Sequence, residues 1–108
     1  MIVDEPTSAG GGDAGPQPTE VFLASVASCY ALALYHVAHK RGVELADLRV
    51  RAVGHYDGPK FASVRVEVTS SHPRHELEPL LARASAVCYV SNTVRAVDDI
   101  EVVLTGAG

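Results

Sequence analysis

Two cysteines, Cys29 and Cys88, are the side chains in this sequence whose chemistry most needs an explanation. A thiol becomes a nucleophile when its surroundings favour the thiolate, and a sulfenic acid formed on one cysteine condenses with a second thiol to a disulfide. Two thiols could therefore run a redox cycle if the fold brought them together. Two inert core cysteines are the alternative, because free cysteine behaves as a small hydrophobe. A metal site is the third reading: on a helix His36 lies almost in line with Cys29, and His39 follows three residues later. However, no Cys-x2-Cys or His-x3-His unit occurs, and His39 next to Lys40 and Arg41 suits the negative end of a helix. His55, His72 and His75 fall in turn-like or helix-entry contexts and read as surface residues, so no metal and no cofactor is expected. The N-terminal glycines are not followed by Lys-Ser or Lys-Thr, and no Gly-x-Ser-x-Gly elbow exists, which sets aside nucleotide and serine hydrolase chemistry.

The element that must position Cys29 is the stretch from Pro16 to Gly42, PQPTEVFLASVASCYALALYHVAHKRG. It reads as one helix, apolar almost all round, so the rest of the chain has to cover it. Pro18 fits the first helical position, Gln17 the cap, and Glu20 the third position, from which a carboxylate reaches back to the cap N–H. Gly42 ends it. Ala24, Ser25, Ala27, Ser28, Ala31 and Ala33 are small enough for another backbone to come close, while Leu23, Val26, Leu34 and Val37 supply bulk. Cys88 ends a second helix, expected over Arg74 to Val87 with an apolar stripe through Leu77, Leu80, Leu81 and Ala84. Pro79 inside that run means either that the regular helix begins near Glu78 or that it kinks.

Between the helices, Leu48 to Val53 and Ala62 to Val68 alternate apolar and polar residues around the turn Asp57-Gly58-Pro59-Lys60, which predicts an antiparallel hairpin with one wet face. Ser91 and Asn92 suit a turn or cap, and Ile100 to Thr105 reads as a closing strand. Residues 1–15 are glycine-rich and poor in apolar surface, a flexible segment in which only Met1-Ile2-Val3 could add a short strand. Residues 16–108 form a single domain.

The chain of 108 residues carries a formal charge of −4, and residues 1–20 hold four acids and no Lys or Arg. No basic face points to nucleic acid. The run Val21 to Ala38 approaches the length of a membrane span, but Ser25, Ser28, Tyr30, Tyr35 and His36 interrupt it, favouring a buried helix over a membrane segment. The N-terminus lacks the basic and apolar regions of a signal peptide, so a cytoplasmic protein is expected, where paired cysteines suggest redox chemistry or burial more than a structural disulfide.

GPQPTEVFLASVASCYALAL resembles the Gly-Pro-x-Pro-Thr-Glu…Cys entry to the central helix of the OsmC and Ohr proteins (osmotically induced protein and organic hydroperoxide resistance). CYVSNTVRAVDDIEVVL is similar to their Cys-Pro-Val-Ser-Asn-Thr-Leu segment and closing strand. The resemblance runs from about residue 4 to 105. It implies an α+β fold in which two long central helices pack against an antiparallel sheet in an intertwined homodimer. It further implies thiol peroxidase activity on organic hydroperoxides and hydrogen peroxide, with Cys29 as the peroxidatic thiol and Cys88 as the resolving one. A dithiol, lipoyl-type in some relatives, would reduce the disulfide. Three positions differ from the family's peroxidases: Thr19 stands where they carry a glutamate, residues 1–20 hold no activating arginine, and Tyr89 replaces the proline after Cys88. The missing glutamate and arginine favour an alternative role, a non-catalytic module binding a small apolar ligand at the dimer interface, whereas both cysteines in family position favour the peroxidase, which is the leading reading. Arg95 belongs to the C-terminal motif and reads as a surface or interface ion-pairing residue.

Overall fold

The computed structural model describes residues 1–106. Its first regular element is the helix that holds Cys29, α1 (Pro18–Lys40), and both ends follow from local chemistry. At the start, the Glu20 carboxylate accepts the Gln17 N–H at 2.9 Å in a capping box, with Pro18 as the first helical residue. At the end, Gly42 takes the left-handed conformation (φ 71°), its N–H bonding the His39 carbonyl while that of Val43 bonds Ala38. This pair of reversed bonds satisfies the last carbonyls of the helix and requires the positive φ that glycine tolerates.

The two alternating segments form the hairpin β1 (Arg49–Tyr56) and β2 (Phe61–Thr69), antiparallel, in register from Arg49 opposite Thr69 to Gly54 opposite Val64. Val50 and Ala52 on β1 and their partners Val68 and Val66 turn toward α1, while Arg51 and Arg65 share Glu67 on the wet face at 3.8 and 3.4 Å. Such exposed pairs contribute little to stability. Gly54 is required by space: a Cβ there would come within 2.5 Å of the Phe61 ring. That ring stacks on Phe22 of α1 and on Tyr56, and the Tyr56 hydroxyl donates to Thr19 Oγ1 at 2.9 Å. The turn end of the hairpin is thereby pinned to the first turn of α1.

The second helix, α2, runs Arg74–Val87 with Pro79 inside it. A start near Glu78 is not what the fold shows: the helix is already regular from Arg74. The proline removes the N–H that the His75 carbonyl would accept, but His75 is exposed, so water can serve that carbonyl. Two further expectations are corrected. Ser91 and Asn92 lie within a third helix, α3 (Tyr89–Ala96), where a turn or cap was expected. Residues 100–105 form no strand, because neither hairpin strand pairs with them, and among the described residues the sheet has two strands. Met1 to Val3 also lies outside any strand. The N-terminal segment is instead wound around Asp4, whose carboxylate accepts the N–H groups of Ala14, Glu5 and Gly12. These bonds, that from Ala14 foremost, hold Asp4 below the usual carboxylate range.

The core lies between α1 and α2 and consists of Tyr30, Leu34, Val37, Ala38, Leu80, Ala84 and Cys88. Ala38 and Ala84 let the helices approach, and the Tyr30 hydroxyl donates to the Leu81 carbonyl at 3.0 Å. By length and composition α1 could cross a membrane, but here it is the element against which β1, β2, α2 and α3 all pack. One side stays uncovered: Leu32 is 70 % exposed, and beyond α3 so are Ile100, Val102 and Leu104. The radius of gyration is 17.3 Å, whereas a compact chain of this length has about 13 Å.

Candidate active site

Cys29 sits in the middle of α1, half-buried against the core, and Cys88 is fully enclosed at the junction of α2 and α3. The packing of these helices sets the Cys29 thiol against the core that holds Cys88, near enough to favour the Cys88 thiolate. Both cysteines are free thiols.

Cys88 is at once the last cap of α2 and the first cap of α3, with extended backbone (φ −72°, ψ 107°). Its carbonyl accepts the Asn92 N–H at 3.0 Å and so opens α3. Burial pushes the Cys88 thiol up. The Ser91 hydroxyl at 3.1 Å, the Ser91 N–H, the Cys29 thiol and the Val90 N–H push it down, and together they prevail, so Cys88 lies below the ordinary thiol value. Ser91 is the site residue that sequence reasoning missed. Tyr89 stands where the resemblance implies a proline, the residue suited to a first helical position, so the sequence carries no such start signal for α3.

The remaining charged candidates are not at the sulfurs. Glu20 is exposed and engaged in its cap. Arg95 is one turn beyond Ser91 on α3, and its guanidinium donates to Asn92 Oδ1 at 2.6 Å and to the Ser85 carbonyl at 3.4 Å. His36 and His39 are exposed, and His39 stacks on Tyr35. Among the described residues no three His, Cys, Asp or Glu side chains converge.

Ser91 also connects the thiols to open space. It lines a cavity of about 340 Å³ walled by Phe22, Val26, Phe61 and Val66, with Arg95 at its polar side. Phe22 and Phe61 separate this cavity from a second one of about 650 Å³, bounded by Pro18, Tyr56 and Ile100. Together they form an apolar groove along α1, and Ser91, bonded to Cys88, is its link to the cysteines.

Comparison with known proteins fits this arrangement. The family profile of OsmC-like proteins matches residues 10–103, nearly the whole chain. The chain belongs to the OsmC-like protein family. Among solved structures it is similar to a protein of Vibrio cholerae assigned to organic hydroperoxide resistance and crystallised with captopril in one of its active sites. Identity is 29 %, the TM-score is 0.70, and the match covers 86 % of this chain and 67 % of that one. It is also similar to the organic hydroperoxide resistance protein OsmC of Legionella pneumophila (26 % identity, TM-score 0.63, covering 86 % of this chain and 72 % of the other). A third likeness is to the organic hydroperoxide resistance protein OhrB of Bacillus subtilis, at 25 % identity and TM-score 0.59, over 83 % of this chain and 69 % of that one. None of the curated proteins compared with the chain matches it. The α+β architecture of this OsmC-like chain, three helices against an antiparallel hairpin, is that of these structures.

Proposed function

We propose that this OsmC-like protein is a cysteine-based peroxidase that reduces organic hydroperoxides and hydrogen peroxide, acting in peroxide resistance in the cytoplasm. The observation that carries this reading is the convergence of Cys29 and Cys88 on one core, where Ser91, bonded to Cys88, opens onto an apolar groove. The similar structures named for organic hydroperoxide resistance support it.

In this reading Cys88 begins as the thiolate that its surroundings favour, takes the Cys29 proton, and the Cys29 thiolate so formed attacks the peroxide O–O bond. The sulfur takes one oxygen as a sulfenic acid, and the alkoxide leaves with the proton from Cys88 as an alcohol. The Cys88 thiolate then attacks the sulfenic sulfur, forming the disulfide and releasing hydroxide. A dithiol reductant, of lipoyl type in some relatives, restores both thiols. The groove walls of Phe22, Val26, Phe61 and Val66 suit a substrate with an apolar body.

Mixing the reduced protein with cumene hydroperoxide tests this. The expected outcome is loss of both free thiols and of the mass of two hydrogens. Retention of both thiols in excess peroxide would instead support the non-catalytic reading, a module holding a small apolar ligand, which the engagement of Arg95 with Asn92 favours.

The functional unit in this proposal is a homodimer. The exposed residues Leu32, Ile100, Val102 and Leu104 and the extended shape of a single chain support it, because a second copy would cover them. Light scattering is expected to give twice the 11.4 kDa of one chain at micromolar concentration, and Leu104→Asp to shift the mass toward one chain. A single-chain mass for the unaltered protein would refute the dimer.

A further inference from the structure

The two sulfurs of the pair are not equivalent. Cys29 is half-buried on the middle of α1, whereas Cys88 is 0 % exposed and enclosed by α1, α2 and α3. Cys88 alone accepts a hydroxyl, that of Ser91 at 3.1 Å, and it stands at the first turn of α3, where the nearby N–H groups of Val90 and Ser91 favour its thiolate. A disulfide is opened by attack on one sulfur, and the other leaves as a thiolate; exchange is faster when the attacked sulfur is accessible and the leaving thiolate is stabilised. Both conditions select the same direction here. We infer that the dithiol reductant attacks Cys29, that Cys88 is the leaving thiolate, and that Ser91 is the positioning residue that holds it with the first turn of α3. This rests on the proposed Cys29–Cys88 disulfide cycle and assigns it a fixed polarity.

The step balances. A thiolate of the reductant bonds to Cys29 Sγ, the Cys29–Cys88 bond breaks, and its electron pair stays on Cys88 Sγ, where the Ser91 hydroxyl and the α3 N–H groups receive it. The second thiol of the reductant then attacks its own sulfur in the mixed disulfide and expels Cys29. The reductant leaves as a cyclic disulfide, oxidised by two electrons, and its two protons go to the released sulfurs or to solvent. Few other ionisable groups face Cys88. Cys29 comes from α1, Tyr30 shares the core with its hydroxyl turned to Leu81 and Ser85, and Arg95 on α3 is held by Asn92 and the Ser85 carbonyl.

The experiment starts from disulfide made with diamide, so that it does not depend on peroxide turnover. Limiting glutathione is added, the mixture is quenched with N-ethylmaleimide, and the cysteine peptides are mapped by mass. The expected product carries glutathione on Cys29 and maleimide on Cys88; glutathione on Cys88 would overturn the inference. In parallel, Ser91→Ala is expected to slow reduction by dithiothreitol several-fold, and Ser91→Thr, which keeps the hydroxyl, to restore it. In a Cys29→Ala background, the thiolate absorbance of Cys88 should titrate at higher pH once Ser91 is alanine. A merely structural role for Ser91 would leave that titration in place, and an unmoved titration with an unchanged reduction rate also overturns the assignment. If peroxide fails to oxidise the protein while the diamide-made disulfide opens at Cys29, the peroxidase reading fails and this one stands. If diamide cannot join the pair, both fall.

Discussion

Replacing Cys29 by serine is expected to abolish reduction of cumene hydroperoxide, a loss of at least about a thousandfold, equivalent to roughly 4 kcal/mol of barrier. Serine keeps the size and a hydrogen-bond donor toward Cys88, so the fold and the Ser91–Cys88 contact should survive while the sulfur nucleophile is gone. Cys88 cannot take over. It is enclosed, and a peroxide would have to reach it through the packed junction of three helices. Cys88→Ser should behave differently: Cys29 still reacts once, more slowly without Cys88 to take its proton, leaving a sulfenic acid with no thiol to condense with, which a dimedone label would capture and excess peroxide would push to the sulfinic acid. The two variants thus separate a missing nucleophile from a missing partner. Equal residual turnover in both, or normal turnover in Cys29→Ser, would remove Cys29 from the reaction.

Much of this arrangement was legible in the chain before its structure. The helix carrying Cys29 was marked by Gln17, Pro18, Glu20 and Gly42, whose effects act within one turn, and the hairpin by strict alternation around Asp57 to Lys60. What could not be read depends on contacts made across the sequence or across chains. The start of α3 was hidden because Tyr89 stands in place of a helix-starting proline and a cysteine serves as the cap. The role of Ser91 was hidden with it, since Ser91 reaches Cys88 only once a helix begins at Tyr89. The alternation from Ile100 to Thr105 has a strand's pattern, but a strand exists only where an edge is available to pair with it, and within one chain none does. That Cys29 and Cys88 meet at one core is likewise a property of helix packing, in which the small residues Ala38 and Ala84 let α1 and α2 approach.

The same packing makes Leu34 the residue whose truncation should cost the most stability. It is 0 % exposed, it lies one turn after Tyr30 and one before Ala38, and it fills the seam of α1 and α2 together with Leu80, Ala84 and Cys88. Leu34→Ala removes its branched end from a seam whose nearby Ala38 and Ala84 are too short to move into the space. A loss of about 2–5 kcal/mol is expected, toward the upper part of that range because the cavity cannot collapse. Leu34→Met keeps the volume and should lose less than about 1.5 kcal/mol. Urea unfolding at one fixed protein concentration measures both, since self-association would otherwise shift the midpoint. A loss below about 1 kcal/mol for the alanine variant would mean the seam repacks. The consequence reaches the chemistry: a cavity between α1 and α2 loosens the one contact that holds Cys29 against Cys88. Leu34→Ala should therefore slow turnover even at temperatures where the protein remains folded, through both the proton transfer from Cys29 to Cys88 and the closure of the disulfide.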